Sequence, residues 1–272
     1  MSISILEYHP GEPLQPFVEL FWEGRFNISQ HGILKQRVVP NGFVELIIHF
    51  SDLHCDLKRK RAWSQSPDYT IIGLHSKPYE VQFSDLVHAF GIRFKPEGIY
   101  NLFGIPASLF REGYDDMKLI LGPTFHYFCE ELRDACNGRK RLDLAKQYLI
   151  TQLQKNNPEL TYVNRAAELI RNTNEFDKIE ELPNIVYVSL RQLEREFKEK
   201  IGTTPKRYMR INRLNEVYKM LENQKKLNYS KVAYECGYSD QSHFIRDFKS
   251  IMGVKPTIFV KNRHQFLVSG TT

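Results

Sequence analysis

The sequence predicts a two-domain α+β fold: a β-rich N-terminal domain with trailing helices, then an all-α C-terminal domain. Three observations carry this. Short segments rich in aromatic and β-branched residues fill the chain up to Phe94. After Pro96 the apolar residues fall at helical spacing. Near residue 190 a supersecondary unit begins that recurs 51 positions later.

The strand-like segments are 17–24, 43–50, 69–74 and 87–94, punctuated by Pro, Gly and Asn, notably at Pro40-Asn41-Gly42. They suggest a small sheet or barrel. The run Lys58-Arg59-Lys60-Arg61 lies between two strand-like segments and reads as a solvated hairpin tip. Helical spacing follows over 97–103 and 125–136. Leu142, Ala145, Tyr148, Leu149 and Leu153 mark a further amphipathic helix. Asn156-Asn157-Pro158 breaks it. The boundary is set there, giving domains of residues 1–156 and 157–272, the second read as helices only.

The repeat organises that second domain. Leu193, Arg195, Phe197, Lys198, Ile201, Gly202, Pro205 and Tyr208 match Phe244, Arg246, Phe248, Lys249, Met252, Gly253, Pro256 and Phe259. Leu193, Phe197 and Ile201 recur at i, i+4, i+8, one apolar helical stripe, as do Phe244, Phe248 and Met252. Ser189, and Ser239 or Asp240, are placed to cap the helix starts. Gly202 and Gly253 stop the helices, and Pro205 and Pro256 suit the first turn of the next. A short helix over 230–236 and a turn at Gly237 precede the second stripe, a helix-turn-helix pattern. In the first copy Pro183 interrupts the leading helix, and Tyr187 stands where Gly would ease the turn. Lys206 to Asn223, with its stripe of Ile211, Leu214, Val217, Tyr218 and Leu221, reads as a rigid helix linking the two units. Two recognition helices so fixed would reach successive major grooves, about 34 Å apart on one duplex face.

Charge agrees with this division. Residues 161–272 hold 20 Lys+Arg against 13 Asp+Glu, whereas residues 1–160 hold 18 against 19. The basic excess therefore lies wholly in the repeat-bearing part, as expected of a domain that meets a polyanion. Hydrophobic residues make up 42%, too many for a disordered chain. No apolar run reaches the roughly 18 residues of a membrane span, and the N-terminus lacks the basic start and apolar stretch of a secretory signal. A cytoplasmic protein without membrane contact is expected. Cys55, Cys129, Cys136 and Cys236 are scattered, so reduced and mostly buried thiols are expected rather than a disulfide framework or zinc site.

With the stripes buried, the first recognition helix presents Arg191, Gln192, Glu194, Arg195 and Lys198, and the second Gln241, Ser242, His243, Arg246 and Lys249. Arg pairs bidentately with guanine, Gln with adenine, and Glu accepts from cytosine. Base readers are thus sought among Arg191, Gln192, Glu194, Arg195, Gln241, Ser242, His243 and Arg246. Arg195 and Arg246, equivalent in both copies, are the leading candidates. Lys198, Lys206, Arg207, Arg210 and Lys249 are assigned to phosphate, where they add salt dependence without sequence choice.

The stretch 233–249, AYECGYSDQSHFIRDFK, followed by Gly253-Val254-Lys255-Pro256, resembles the second-unit signature of the AraC/XylS family of bacterial transcription regulators. The stretch 189–198, SLRQLEREFK, with Gly202-Thr203-Thr204-Pro205, is similar to the first unit. The resemblance covers roughly 160–263. It implies a seven-helix DNA-binding domain contacting two major-groove segments, with base contacts at Arg191, Glu194, Arg195, Ser242, His243 and Arg246. The departures at Pro183 and Tyr187 bear on the geometry of the first unit. Residues 40–46 (PNGFVEL) and 91–98 (GIRFKPEG) resemble a sensor-type domain found in some members.

The N-terminal domain is therefore expected to sense or dimerise, with the helices at 125–136 and 141–155 serving dimerisation or packing on the sheet. Expected partners are double-stranded DNA, with RNA polymerase, a small-molecule effector and a second copy of the chain as further candidates. An enzymatic alternative, a small-molecule-binding or metal-dependent N-terminal domain fused to the DNA-binding module, would need His49, His54, His75 and His88 to converge. No H-x-H or H-x-x-x-H pairing, Walker loop, Gly-x-Ser-x-Gly or Cys/His nucleophile pairing is present. No enzyme activity and no cofactor are expected. A third reading gives Phe17, Phe21 and Trp22 to a protein-binding face, against burial in the core.

Overall fold

Two β-sheets and a shell of helices make up the computed structural model, which describes residues 2–28, 32–52, 54–59, 61–84, 86–110, 113–172, 179–223 and 228–267. Strands β1 (Ser2–Tyr8), β2 (Val18–Asn27), β4 (Val44–His49), β7 (Tyr69–Ile72), β9 (Val87–Phe94) and β10 (Tyr114–Asp116) form one antiparallel sheet in the order β1-β2-β9-β4-β7-β10. Strands β3 (Leu34–Val38), β5 (Asp56–Arg59), β6 (Ala62–Gln65), β8 (Tyr79–Phe83) and β11 (Phe266–Leu267) form the second, in the order β11-β3-β8-β5-β6. Phe26, Leu57, Val81, Phe83 and Val87, drawn from both sheets, fill the space between them.

The other face of the first sheet is covered by helices α1 (Pro96–Phe103), α3 (Pro123–Asp134) and α4 (Gly138–Asn156). The central strands are consequently buried on both faces, which is why β4 and β9 read as nearly continuous apolar runs. Phe17 and Phe21 lie in this core, and Trp22 is half-buried with its Nε1 donating to Glu45 at 3.0 Å. These aromatics are packing groups. Helix α3 buries Phe125, Phe128, Cys129 and Leu132, and a short helix α2 (Met117–Leu121) precedes it. Asn157, in the left-handed conformation, closes α4.

The C-terminal part contains α5 (Tyr162–Arg171), α6 (Leu182–Ile185), α7 (Leu190–Ile201), α8 (Pro205–Asn223), α9 (Tyr229–Glu235), α10 (Gln241–Met252) and α11 (Pro256–Lys261). The expectation of helices only needs one correction. Strand β11 follows α11 and pairs in parallel with β3, and Val39 N donates to Leu267 O at 3.0 Å. Such a two-residue strand carries no turn residues or alternation that a sequence reading could detect; pairing with β3 and packing of Phe266 on Phe259 hold it.

The apolar core crosses residue 157. One cluster runs from the first sheet through α1 and α4 into Val163, Leu193, Phe197, Ile201, Tyr208 and Met209. A second gathers Leu214, Val217, Tyr218 and Leu221 of α8 with Phe244, Phe248, Met252 and Phe259, and includes Val39 and Phe266. The first helix-turn-helix unit thus shares its core with the sheet domain, and the second unit has its own. Between them runs α8, 19 residues and about 28 Å long.

Of the basic run at 58–61, Lys60 lies outside the described residues. Lys58 is not a free tip residue: it pairs with Glu80 of β8 and sits 5.7 Å from the Trp63 ring centre.

A two-unit candidate DNA interface

Each unit is built by the same local rules. Ser189 Oγ accepts from Gln192 N at 3.2 Å and starts α7. In the second unit Asp240, not Ser239, is the cap, accepting from His243 N at 2.7 Å. That backbone N–H holds the Asp240 carboxyl below its usual range. Both helices end at a left-handed glycine, Gly202 at φ 86° and Gly253 at φ 73°. Leu193, Phe197 and Ile201 are buried in α7, and Phe244, Phe248, Ile251 and Met252 in α10.

The units differ at the turn. Gly237 takes φ 68° in the second, while Tyr187 takes φ 57° at the equivalent place in the first. Tyr187 is 93% exposed, so no burial compensates its backbone strain. Pro183 lies in the first turn of α6, where a proline is tolerated, and limits that helix to four residues.

The helix faces away from the core carry the expected readers. Arg191, Gln192, Arg195 and Lys198 are exposed on α7, as are Gln241, Ser242, Arg246 and Lys249 on α10. Arg195 is 73% exposed and pairs with Glu196 at 3.6 Å. A shallow depression runs along Ser189, Arg191, Gln192, Glu194, Arg195 and Lys198. Glu194 and His243 are half-buried. His243 is held by Ser239 Oγ, 3.1 Å from its Nδ1, and by the Tyr238 ring edge-on at 5.3 Å. Gln241 receives a hydrogen bond from Ser230 Oγ of α9 at 2.8 Å.

The residues assigned to phosphate divide. Lys198, Lys206 and Lys249 are exposed. Arg207 bonds to Ser76 of the sheet domain. Arg210 is bound to the recognition helix: its Nε donates to Asp247 Oδ1 at 2.8 Å and its Nη2 to Ser250 Oγ at 2.6 Å. Tyr238 donates to the other oxygen of Asp247 at 3.2 Å. This clamp between α8 and α10 is absent from the sequence reading. Its trace was there: Glu196 and Asp247 place an acid at the same position of both repeats. In the first unit Glu196 pairs instead with Lys200 at 3.4 Å, and Lys200 stands 5.2 Å from the Tyr100 ring of α1.

The four N-terminal histidines do not converge. His49 and His54 stack at 4.3 Å, His88 bonds to Glu23 at 2.7 Å, and His75 lies against Tyr79. Among the described residues no group of three His, Cys, Asp or Glu is placed to hold a metal ion. Cys55, Cys129 and Cys236 are buried thiols and Cys136 is exposed. No helix among the described residues is long and apolar enough to cross a membrane.

Fold and faces together define a DNA-binding helix-turn-helix module joined to a β-rich domain, and comparison with known proteins agrees. Residues 182–262 match a family described as a helix-turn-helix domain, and residues 6–115 match a domain of unknown function, DUF6597. The chain is similar to the HTH-type transcriptional activator RhaS of Escherichia coli O1:K1, 35% identical over 80 residues, 29% of this chain and 28% of that protein. It is also similar to the probable transcriptional regulator LumQ of Photobacterium leiognathi, 34% identical over 91 residues, 33% of this chain and 34% of that one. The match thus spans about a third or less of each relative. Among solved structures, ToxT of Vibrio cholerae aligns with a TM-score of 0.46 at 13% identity, covering 89% of this chain and 98% of that chain. Residues 182–262 are thus a helix-turn-helix domain, and the relatives that share it are named as transcription regulators.

Proposed function

We propose that the chain is a sequence-specific DNA-binding transcription regulator, acting in the bacterial cytoplasm and without enzyme activity or cofactor. Residues 157–272 read double-stranded DNA with α7 and α10 in adjacent major grooves, and residues 1–156 carry control by an effector or partner. One observation carries this reading: two capped helices, matched residue for residue, expose Arg195 and Arg246 from equivalent positions on either side of one linking helix. The readers are Arg191, Gln192, Glu194 and Arg195 in the first unit, and Gln241, Ser242, His243 and Arg246 in the second. Lys198, Lys206 and Lys249 meet phosphate. Arg207 and Arg210 are assigned to phosphate as well, from guanidinium groups that also bond to Ser76 and to Asp247 and Ser250. RNA polymerase is the expected downstream partner, and a second copy of the chain is a candidate partner.

Selection of bound fragments from random DNA by the full chain tests the reading. Two sequence elements about one helical turn apart are expected, with affinity falling steeply as salt rises. Failure of the chain to enrich any sequence would remove it.

A further inference from the structure

Arg210 and Arg213 lie three residues apart on α8, so both extend from one face of that helix. Both meet the second helix-turn-helix unit. Arg210 Nε donates to Asp247 Oδ1 at 2.8 Å, and its Nη2 to Ser250 Oγ at 2.6 Å. The Arg213 guanidinium stands 5.2 Å from the Tyr238 ring centre. The Tyr238 hydroxyl donates to Asp247 Oδ2 at 3.2 Å, and its ring meets His243 edge-on at 5.3 Å. We propose that Asp247 is a positioning residue for DNA reading: by holding Arg210 and Tyr238 it fixes the rotation of α10 on α8 and the setting of His243. The proposal rests on the DNA-binding reading and names what gives the second unit its discrimination.

Apolar packing alone leaves that rotation open. Phe244, Phe248, Ile251 and Met252 share a core with α8, but the hydrophobic effect has no direction. A hydrogen bond has one. Turning α10 by about 15° moves a group at the helix surface, about 5–6 Å from the axis, by roughly 1.5 Å, enough to part a bidentate pair with a base. Arg246 directly precedes Asp247 in the chain, so an anchor at Asp247 bears on the leading reader. The Asp247 side chain is 11% exposed, and a carboxylate so enclosed is costly without partners. Each of its oxygens has one: Arg210 from the linking helix, Tyr238 from the turn.

In the first unit the same position serves otherwise. Glu196 pairs with Arg195 at 3.6 Å and with Lys200 at 3.4 Å, both on its own helix, and Lys200 lies 5.2 Å from the Tyr100 ring of α1. Leu193, Phe197 and Ile201 belong to the core shared with the sheet domain. Helix α7 is therefore seated on that larger body, whereas α10 packs in a separate core to which α8 contributes Leu214, Val217, Tyr218 and Leu221. Discrimination by the second unit is thus the part that depends on the clamp.

The full chain supplies the test, in two stages. Without DNA, the Arg210 Nε–H is expected as a dispersed, slowly exchanging guanidinium resonance by nitrogen NMR, identified by its loss in Arg210→Lys and shifted in Asp247→Asn. A resonance at the position of free arginine, or one unmoved by Asp247→Asn, overturns the clamp. With DNA, binding is measured to a selected two-element site and to versions with one base changed in either element; the second element is the one that Arg246→Ala degrades. Asp247→Ala and Tyr238→Phe remove no candidate reader or phosphate contact. Each is expected to lower discrimination in the second element about threefold or more, out of the roughly 5- to 150-fold that one wrong base costs, and to leave the first element unchanged. Tyr238→Phe keeps the ring and carries the test if Asp247→Ala fails to fold. Cys129→Ala, a buried change in α3, controls for stability and should leave both elements as they are. Discrimination kept in both elements, an equal fall in both, or the same fall in Cys129→Ala overturns the role of Asp247. Failure of the native chain to select any site would sink the DNA-binding reading and this role with it; selection intact in the native chain and equally sharp in the variants sinks the role alone.

Discussion

Arg195 and Arg246 occupy the same position of two repeats, on the face opposite the buried stripe, and both are exposed. An exposed guanidinium is the group that can pair bidentately with guanine O6 and N7. Arg246→Ala is expected to weaken specific binding by about 1–3 kcal/mol and relax discrimination at one base position; competition titrations with single-base variants of a selected site measure both. The outward position of these two arginines was legible because the stripe and the repeat fix which face is buried. The fate of Arg207 and Arg210 was not, since their partners Ser76 and Asp247 are 131 and 37 residues away. A second residue-scale expectation concerns His49. Burial, with His54 beside it, pulls its pKa down from 6.5 to about 3. The folded state therefore stays unprotonated while the unfolded chain takes up a proton below about pH 6.5. The stabilising contribution is present above that pH and is lost as pH falls towards 3, at up to about 1.4 kcal/mol per pH unit. Urea midpoints between pH 7.5 and 5 should fall less for His49→Gln than for the native chain; equal slopes would contradict this.

Recognition helices α7 and α10 owe their limits to short-range chemistry: an oxygen cap at the start and a left-handed glycine at the stop. Such elements are read from sequence because each cause lies within four residues of its effect. The doubly buried strands β4 and β9 were legible for a different reason, their unbroken apolar content. Strand β3 escaped notice because the polar Gln36 stands at its buried position, and β5 and β8 because they are only four and five residues long, so that tertiary pairing decides them. At the turn of the first unit, Tyr187 holds a conformation that costs an L-residue roughly 1–2 kcal/mol. Tyr187→Gly is thus expected to stabilise the chain by about 1 kcal/mol, after allowing for the entropy of glycine in the unfolded state. A shift in urea midpoint at constant slope would register it. Loss of stability would mean that the tyrosine ring has a packing role not visible in its exposure.

On the scale of the whole molecule, the sheet domain and the first unit are tied by a buried ion pair. Arg171 Nη2 and Nη1 donate to the two Glu97 oxygens at 2.5 and 3.0 Å, and Nη1 also reaches the Tyr208 hydroxyl at 3.2 Å. Removing one partner leaves a buried charge unanswered. Glu97→Ala should therefore cost about 3–5 kcal/mol, whereas Glu97→Met combined with Arg171→Met should recover most of it. Equilibrium urea unfolding of the three proteins separates these outcomes; equal loss in the single and double variants would show that the pair is not what joins the parts. The sequence carried Glu97 within a motif and Arg171 at the end of a helix, 74 residues apart, and nothing local relates them. What the sequence did carry at this scale was the basic excess and the repeat, which together mark where DNA is met.

The central claim is that both units read DNA. Selection of bound fragments from random DNA, run with the native chain, Arg195→Ala and Arg246→Ala, tests it most directly. The account predicts a site of two elements about one helical turn apart, one element degraded by each substitution and the other kept. A single element, lost with Arg246→Ala and indifferent to Arg195→Ala, would contradict it and leave the Tyr187-bearing unit as a scaffold.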